Sequence, residues 1–269
     1  MRALILALCL LPAAAIAADP PIAAERRFLP VDEAEDWSGV GRLNARGGFC
    51  TGALIAPDTV LTAAHCIYDR LTGQAIPVGE MRFVAGSRSG YHTAHRRVTR
   101  AAAHPDWSGF EGAKVRVAGD IAVVTLESPL SRIEGRTYET GPAPGPGDDV
   151  ALLSYGADRE TALSIQEPCQ VVERFSRSAA LNCDVTYGAS GSPIFADGRI
   201  VGVVSAMVGT GANKIALAVL VDQAIEALVG PAQPDAKPEP APSGGLAARF
   251  RGAPAKGSRL PGGKRPPSQ

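Results

Sequence analysis

Three separate motifs carry residue types that together could perform nucleophilic catalysis. Ser190 lies in a glycine-rich turn at 188–193, His65 follows an apolar stretch at 59–64, and Asp120 precedes an apolar run. A serine hydroxyl is a weak nucleophile unless a neighbouring base takes its proton. A histidine can be that base, and a carboxylate can orient the imidazole. The three residue types therefore indicate attack on a carbonyl carbon by an activated serine.

The turn around Ser190 is suited to hold developing negative charge. Gly188 and Gly191 lack Cβ atoms, so the backbone can form a tight turn that side chains would block. Backbone N–H groups aimed at an oxyanion each contribute about 3 kcal/mol to the transition state. Taken alone, each motif also has an ordinary structural explanation: a Gly-Ser surface loop, a packed histidine, or an aspartate that caps a turn. The other histidines are weaker candidates for the base: His92, His95 and His104.

The elements that must position these residues are short strands. The chain has 269 residues with 30 Gly and 22 Pro but only 5% aromatic residues, which favours strands and turns over long helices. Apolar runs bounded by turn residues predict strands at 49–55, 59–62, 82–85, 97–101, 121–126, 149–153, 170–175, 193–195 and 199–207. Helical spacing of apolar residues predicts one helix at 221–228. The pattern as a whole predicts an all-β sandwich or barrel with one late helix.

The first residues have the features of an export signal, which places the cysteines in an oxidising compartment. Arg2 precedes an apolar run at 3–11, and small residues surround position 16, so we expect the mature chain to begin near Ala18. A short membrane anchor is the alternative, but the run is too short to span a bilayer. Four cysteines then remain, and an even number in an exported chain favours two disulfides over free thiols. Of the three possible pairings, the nearest-neighbour one joins Cys50 to Cys66 and Cys169 to Cys183. No metal site is expected, because no Cys-x-x-Cys pair is present.

Composition also divides the chain. A Pro-punctuated lead-in or pro-segment is expected at 18–37, and a Gly- and Pro-rich seam at 139–148 separates two halves at 38–140 and 141–230. The tail at 231–269 has nine Pro, six Gly and few large apolar residues, so it is expected to be disordered. The tail carries a net charge of +5, whereas residues 18–230 carry −6. A weak contact of the tail with an anionic surface and a simple solvated spacer are both open at this point.

The three motifs, in the order His, Asp, Ser, resemble the chymotrypsin/trypsin-like serine endopeptidases, and most closely their bacterial secreted members. They read Thr-Ala-Ala-His-Cys, Gly-Asp-Ile-Ala-Val-Val and Gly-Ala-Ser-Gly-Ser-Pro. The resemblance covers residues 38–230 and implies two six-stranded antiparallel β-barrels, a catalytic cleft between them and a C-terminal helix. It also implies that Ser190 is the nucleophile, His65 the base and Asp120 the orienting acid. The N–H groups of Gly188 and Ser190 would then form the oxyanion hole.

One departure from the family concerns activation. Trypsin-like enzymes usually carry Asp just before the nucleophile, where it pairs with an N-terminus released by cleavage; this chain has Ala189 there. No activation-type start sequence is present either, so we predict that an inserted N-terminal ammonium ion is not used. The pair Arg26-Arg27 is open to two explanations, a cleavage site for a pro-segment or an exposed dibasic pair.

Specificity is expected to depend on a few residues near the nucleophile. Asp184, six positions before it, resembles the acid at the base of the trypsin pocket and predicts a preference for Arg or Lys; a structural Asp in a loop is the alternative. By resemblance, Ser205 and Met207 belong to the strand that pairs with the substrate backbone, and Met207 would partly block the pocket. Val204 stands where glutamyl endopeptidases place a His, which argues against a preference for Glu.

These features predict a secreted or periplasmic trypsin-like serine endopeptidase that works through an acyl-enzyme. We expect a monomer that acts on polypeptides, uses no cofactor or metal, and binds no nucleic acid. The alternative from another functional class is a non-catalytic binding protein on a serine-protease scaffold, although such proteins normally lack a triad residue.

Overall fold

Strands make up most of the regular structure in the computed structural model, which describes residues 24–111, 114–209, 214–221, 225 and 228. The strands in chain order are β1 (Arg27–Phe28), β2 (Val40–Ala45), β3 (Gly48–Ala56), β4 (Thr59–Thr62), β5 (Arg82–Ala85), β6 (Ala94–Ala103), β7 (Phe110–Glu111), β8 (Lys114–Val115), β9 (Ala122–Leu126), β10 (Asp149–Ser154), β11 (Ser164–Arg174), β12 (Ser178–Leu181), β13 (Pro193–Ala196), β14 (Arg199–Val208) and β15 (Ile215–Leu220). No helix in these ranges is long and apolar enough to cross a membrane.

Six strands of the first half close into an antiparallel barrel in the order β2-β3-β4-β9-β6-β5. Alternation sets the inward face: in β5, Phe83 and Ala85 are buried while Arg82 and Val84 are partly exposed. Large apolar side chains from several strands fill the interior, among them Leu43, Leu54, Met81 and Phe83. Burial of these apolar side chains fixes the strand register, because a shift of one residue would move them from the core face to the solvent face.

The second half forms another six-stranded antiparallel barrel in the order β11-β10-β13-β14-β15-β12, closed by the pairing of β11 with β12. The short strand β1 adds to the outer side of β11, so the start of the described chain belongs to this second barrel. The lead-in expected at 18–37 is therefore more than a linker in its described part. The two-barrel architecture agrees with the fold expected from the sequence.

Another apolar cluster lies where the barrels meet. It joins Leu61 and Ile121 of the first barrel to Leu153 and Val203 of the second, all buried. Trp37, Tyr138 and Phe195 pack together at one side, with the ring centroids of Trp37 and Phe195 4.8 Å apart. Residues 61 and 121 are close in sequence to His65 and Asp120, so this packing fixes both motifs at the boundary between the barrels.

Every strand expected from the sequence falls on an observed strand, and β3, β6, β10, β11, β13 and β14 are longer than predicted. The expectations did not include β1, β2, β7, β8, β12 and β15. Alanine-rich β12 has low strand propensity, and the continuous apolar run of β15 reads equally well as a buried helix. The helix expected at 221–228 lies mostly outside the described residues, although Val221, Ile225 and Leu228 pack on the inter-barrel cluster. The export signal and the tail at 231–269 also lie outside them.

Candidate active site

Strand pairing brings His65 and Asp120 together. Strand β4 pairs with β9 so that Thr62 stands opposite Ala122. The segment that follows β4 therefore lies beside the segment that precedes β9. His65 lies in the 3-10 turn Ala64–Ile67 that follows β4. Its backbone N–H donates to Asp120 Oδ1 at 2.8 Å, and its Nδ1 lies 2.7 Å from Asp120 Oδ2. The carboxylate thus holds both the backbone and the ring of the histidine.

The Asp120 side chain is fully buried, and its oxygens accept three hydrogen bonds. The third comes from Ser205 Oγ on β14 of the second barrel, 2.5 Å from Oδ2. A carboxylate can only accept, so the Nδ1 contact is satisfied by an Nδ1–H donor. That tautomer leaves Nε2 of His65 as the acceptor, which is the form a general base needs.

The Ser190 turn packs closely on the first barrel. Gly191 has φ +77°, and a Cβ there would stand 2.2 Å from Thr62 Oγ1 and 2.3 Å from the Thr51 carbonyl oxygen. The Thr51 N–H donates to the Ser190 carbonyl at 2.8 Å. Glycine at 191 therefore permits the backbone of the second barrel to approach β3 and β4, just before His65. His65 and Ser190 line the same cleft.

Two backbone N–H groups in this turn are candidates for an oxyanion hole. Gly188 has φ +92°, and a Cβ at this position would meet the Phe49 ring at 2.4 Å. Among the described residues, neither Gly188 nor Ser190 donates its N–H to a backbone carbonyl, whereas Ala189 and Gly191 do. An oxyanion hole would require two backbone N–H groups that remain available to donate.

The cleft has a volume of about 430 Å³ and is open to solvent on one side. Ser205 and Met207, which the sequence assigned to substrate binding, both line it. The remaining walls come from three places: the loop before Ser190, the strands β14 and β15, and the loop after His65. Their residues are Arg70, Val185, Thr186, Tyr187, Val204, Ala206, Val208 and Leu217. Most of the surface that could receive a side chain is therefore apolar.

Asp184 stands apart from this surface. Its carboxylate lies 3.0 Å from Lys214 Nζ and 3.6 Å from Nη2 of Arg26, and it is absent from the residues that line the cleft. The role of Asp184 at the base of the pocket stays a prediction, because two cations lie beside its carboxylate but its side chain is 46% exposed. The same contacts also fit the alternative, an aspartate held in a loop.

Both disulfides join nearest neighbours along the chain, Cys50 with Cys66 and Cys169 with Cys183. The first fixes the turn that holds His65, and the second precedes the loop that leads to Ser190. Among the described residues, one group, Cys50, Cys66 and His65, has the proximity of a metal site. Its sulfurs are bonded to each other, so they supply no thiolate ligands.

The sequence reasoning missed Thr51, which links the two halves of the site. This residue is fully buried on β3. Its Oγ1 donates to the Gly188 carbonyl at 3.0 Å and accepts from the Tyr155 N–H at 3.0 Å. Leu217, on the unrecognised strand β15, was missed as well. The one available signal for Thr51 was a polar residue at an inward position of a predicted strand.

Comparison with known proteins identifies the family. A model of the family described as Trypsin matches residues 31–228. Serine protease 23 of Bos taurus is 28% identical over 162 residues, and a glutamyl endopeptidase of Bacillus licheniformis is 27% identical over 165. These alignments cover 54% and 59% of this chain but 43% and 49% of the relatives, so the chain spans less than half the length of these two relatives.

Solved structures show the same fold. A Glu endopeptidase in complex with MPD superposes with a TM-score of 0.64 at 18% identity, over 78% of this chain and 95% of that one. An inactivated protease paralogue of the scabies mite gives a TM-score of 0.58 at 16% identity, over 74% of this chain and 92% of the other. With the family match over most of its length, the chain belongs to the trypsin family.

Proposed function

We propose that the protein is a serine endopeptidase in which Ser190 attacks a peptide carbonyl while His65 takes its proton. Asp120 orients the imidazole, and the N–H groups of Gly188 and Ser190 stabilise the oxyanion. The C–N bond of the tetrahedral intermediate then breaks as His65 gives its proton to the leaving amine, which forms the acyl-enzyme. A water molecule activated by His65 hydrolyses this ester and releases the acid and free Ser190. The observation that carries the proposal is that His65, paired with the buried Asp120, lines the same cleft as Ser190. No step needs a metal or cofactor.

The compartment we propose is extracellular or periplasmic. Two disulfides in a chain of this size are typical of proteins that fold in an oxidising environment. The substrate class is polypeptide, as for serine proteases in general.

Covalent labelling tests the proposal directly. A fluorophosphonate reacts only with a serine that is activated by its base and faced by oxyanion donors, so it should label the purified protein. The Ser190→Ala variant should not be labelled, and neighbouring Ser192→Ala, whose Oγ is buried, serves as a matched control that keeps the nucleophile. A folded protein that resists labelling would refute the proposal and favour the non-catalytic binding protein.

The side chain preferred before the cleaved bond is the finer part of the proposal. Arg or Lys would be preferred if Asp184 faced the pocket, but its carboxylate pairs with Lys214 and Arg26. The walls provide Val185, Leu217 and Met207 instead. We therefore expect uncharged, medium-sized side chains, with Leu or Val exceeding Arg about tenfold in kcat/KM. A peptide panel that varies this residue, with Glu included, measures the order; faster cleavage after Arg or Glu would contradict it.

A further inference from the structure

The segment 24–29 is built into the second barrel although it precedes residue 31, where the family match begins. The N–H of Ala24 donates to the Pro168 carbonyl at 3.0 Å, and Arg27 pairs with Ile165 in the β1–β11 ladder. Leu29 is fully buried, and its N–H donates to the Leu163 carbonyl at 2.9 Å. This segment is therefore an addition to the matched domain that has its own place in the fold.

The segment buries a charge behind the cleft. The Arg26 side chain is 5% exposed, and its Nη2 forms an ion pair with Asp158 and lies 3.6 Å from Asp184 Oδ2. Isolated buried charges are costly, so such a guanidinium requires its acidic partners. Arg26 thus depends on two carboxylates, and each of them belongs to the region around the cleft.

Asp158 transmits this contact to the cleft wall. Its Oδ1 accepts a hydrogen bond from Thr186 Oγ1 at 2.8 Å, and Thr186 lines the cleft. Burial opposes the charged form of Asp158, but the Thr186 bond and the Arg26 charge outweigh it and lower the pKa of this carboxyl. Packing here is close: a Cβ on Gly156 would stand 2.4 Å from Thr186 Oγ1 and 2.7 Å from Asp158 Oδ1.

Asp184 is held from the other side as well. The buried Gln166 donates from Nε2 to the Ala24 carbonyl and accepts the Asp184 N–H at its Oε1, both at 2.7 Å. Lys214 donates to Asp184 Oδ1 at 3.0 Å. Two cations and two carboxylates thus form a neutral cluster, which contacts the side chain of Asp184 while Gln166 holds its backbone N–H.

We propose that Arg26 is a positioning residue for specificity: with Lys214, it holds Asp184 in a neutral cluster away from the cleft and holds the Thr186 wall through Asp158. The inference rests on the proposed endopeptidase function. It makes the N-terminal segment part of the specificity site, so that loss of Arg26 or Lys214 frees the Asp184 carboxylate to receive a cationic side chain.

The test compares the kcat/KM ratio for peptides with Arg or Leu before the cleaved bond. Arg26→Met and Lys214→Met should each raise the Arg/Leu ratio about tenfold. Arg26→Lys keeps the charge and should restore much of the wild-type ratio. Arg27→Met is the matched control, since the exposed neighbour Arg27 pairs with Glu33 and not with the cluster. Adding Asp184→Asn to Lys214→Met should remove the gain.

The outcomes separate this inference from the function on which it rests. Fluorophosphonate labelling of each variant reports the catalytic groups independently of specificity. If the variants are labelled but the Arg/Leu ratio stays within twofold of wild type, the role of Arg26 is refuted while the endopeptidase function stands. If wild type is not labelled, the function itself fails. Should Arg26→Met not fold, Lys214→Met decides, because Lys214 is partly exposed and lies outside the N-terminal segment.

Discussion

At the scale of single residues, the site depends on polar side chains that are buried and form hydrogen bonds between the two barrels. Asp120 accepts from His65 twice and from Ser205 once, so its position is fixed by both barrels. Thr51 does the same for the Ser190 turn, through the Gly188 carbonyl and the Tyr155 N–H. Each of these groups would be costly to leave without its partner. The geometry of the site is therefore sensitive to residues that never touch a substrate.

Removal of the Ser205 hydroxyl tests the first of these contacts. Ser205→Ala should lower kcat about tenfold, because Asp120 then loses one of the three hydrogen bonds that hold it against His65. Steady-state kinetics on one peptide measures kcat. Ser154→Ala is the control, since Ser154 is equally buried but its Oγ has no partner among the described residues. Equal losses in both variants would contradict a specific role for Ser205.

Thr51→Val tests the second contact. The variant keeps the shape of the side chain but leaves the Tyr155 N–H without its acceptor, so we expect a loss of about 1–3 kcal/mol in the free energy of unfolding. Urea denaturation measures it. Thr59→Val on β4 is the comparison, because the Thr59 hydroxyl bonds to its own neighbour Asp58 and does not bridge the barrels. A variant at 51 no less stable than that at 59 would count against the bridge.

The sequence predicted the motif residues better than their supports. Ser190, His65 and Asp120 occur in local patterns of distinctive composition, so reading them needed no knowledge of the fold. Arg26 and Thr51 lie in ordinary sequence, and their importance comes from partners more than 100 positions away. For Asp184, its spacing from Ser190 predicted a role in the substrate pocket. Its ion pairs with Arg26 and Lys214 could not be inferred without the folded structure.

At the scale of elements, the turn at 188–193 must pass close to β3 and β4 while it keeps an unusual backbone conformation. Gly191 and Gly198 both have positive φ, at +77° and +73°. A Cβ at 191 would meet the backbone of the first barrel, whereas a Cβ at 198 would meet nothing within 4 Å. This pair separates the cost of backbone strain from the cost of steric overlap.

Alanine substitutions at Gly191 and Gly198 should therefore differ in their effects. Gly198→Ala should lower stability by about 1–2 kcal/mol through strain alone and keep fluorophosphonate labelling. Gly191→Ala should abolish labelling, because the Ser190 turn must move away from His65 to relieve the overlap. Thermal unfolding and labelling of both variants measure the two effects. Labelling of Gly191→Ala at the wild-type rate would show that the close approach is unnecessary.

At the scale of the whole molecule, function requires that two barrels stay in one arrangement. The inter-barrel apolar cluster joins the two barrels, and a polar contact also connects them. Arg177 of the second barrel reaches across to the first, where it forms an ion pair with Asp106 and lies 3.1 Å from His104 Nε2. The His104 N–H donates to the Ile121 carbonyl, next to Asp120. This contact therefore joins the barrels beside the catalytic acid.

The His104 contact makes stability depend on pH. Burial, followed by the charge of Arg177, lowers the pKa of His104, while Asp106 opposes the shift. The unfolded chain, with a His pKa of about 6.5, then binds more protons than the native state, so stability falls as pH decreases below about 6.5. His104→Gln should reduce the difference in unfolding free energy between pH 7.5 and 5.5. The exposed His95→Gln should leave it unchanged; the same slope in all three proteins would contradict the assignment.

The pairing of β1 with β11 also sets an order of events during synthesis. Residues leave the ribosome in sequence, so Arg27 emerges long before Ile165, its partner in the ladder. The strands of the first barrel, β2 to β9, can close on themselves in the meantime, because all their partners lie within 40–126. The segment 24–29 therefore stays without its ladder partner until β11 has emerged. The cluster around Arg26 also needs Asp184 and Lys214, so it can be completed only after the chain has been made as far as residue 214.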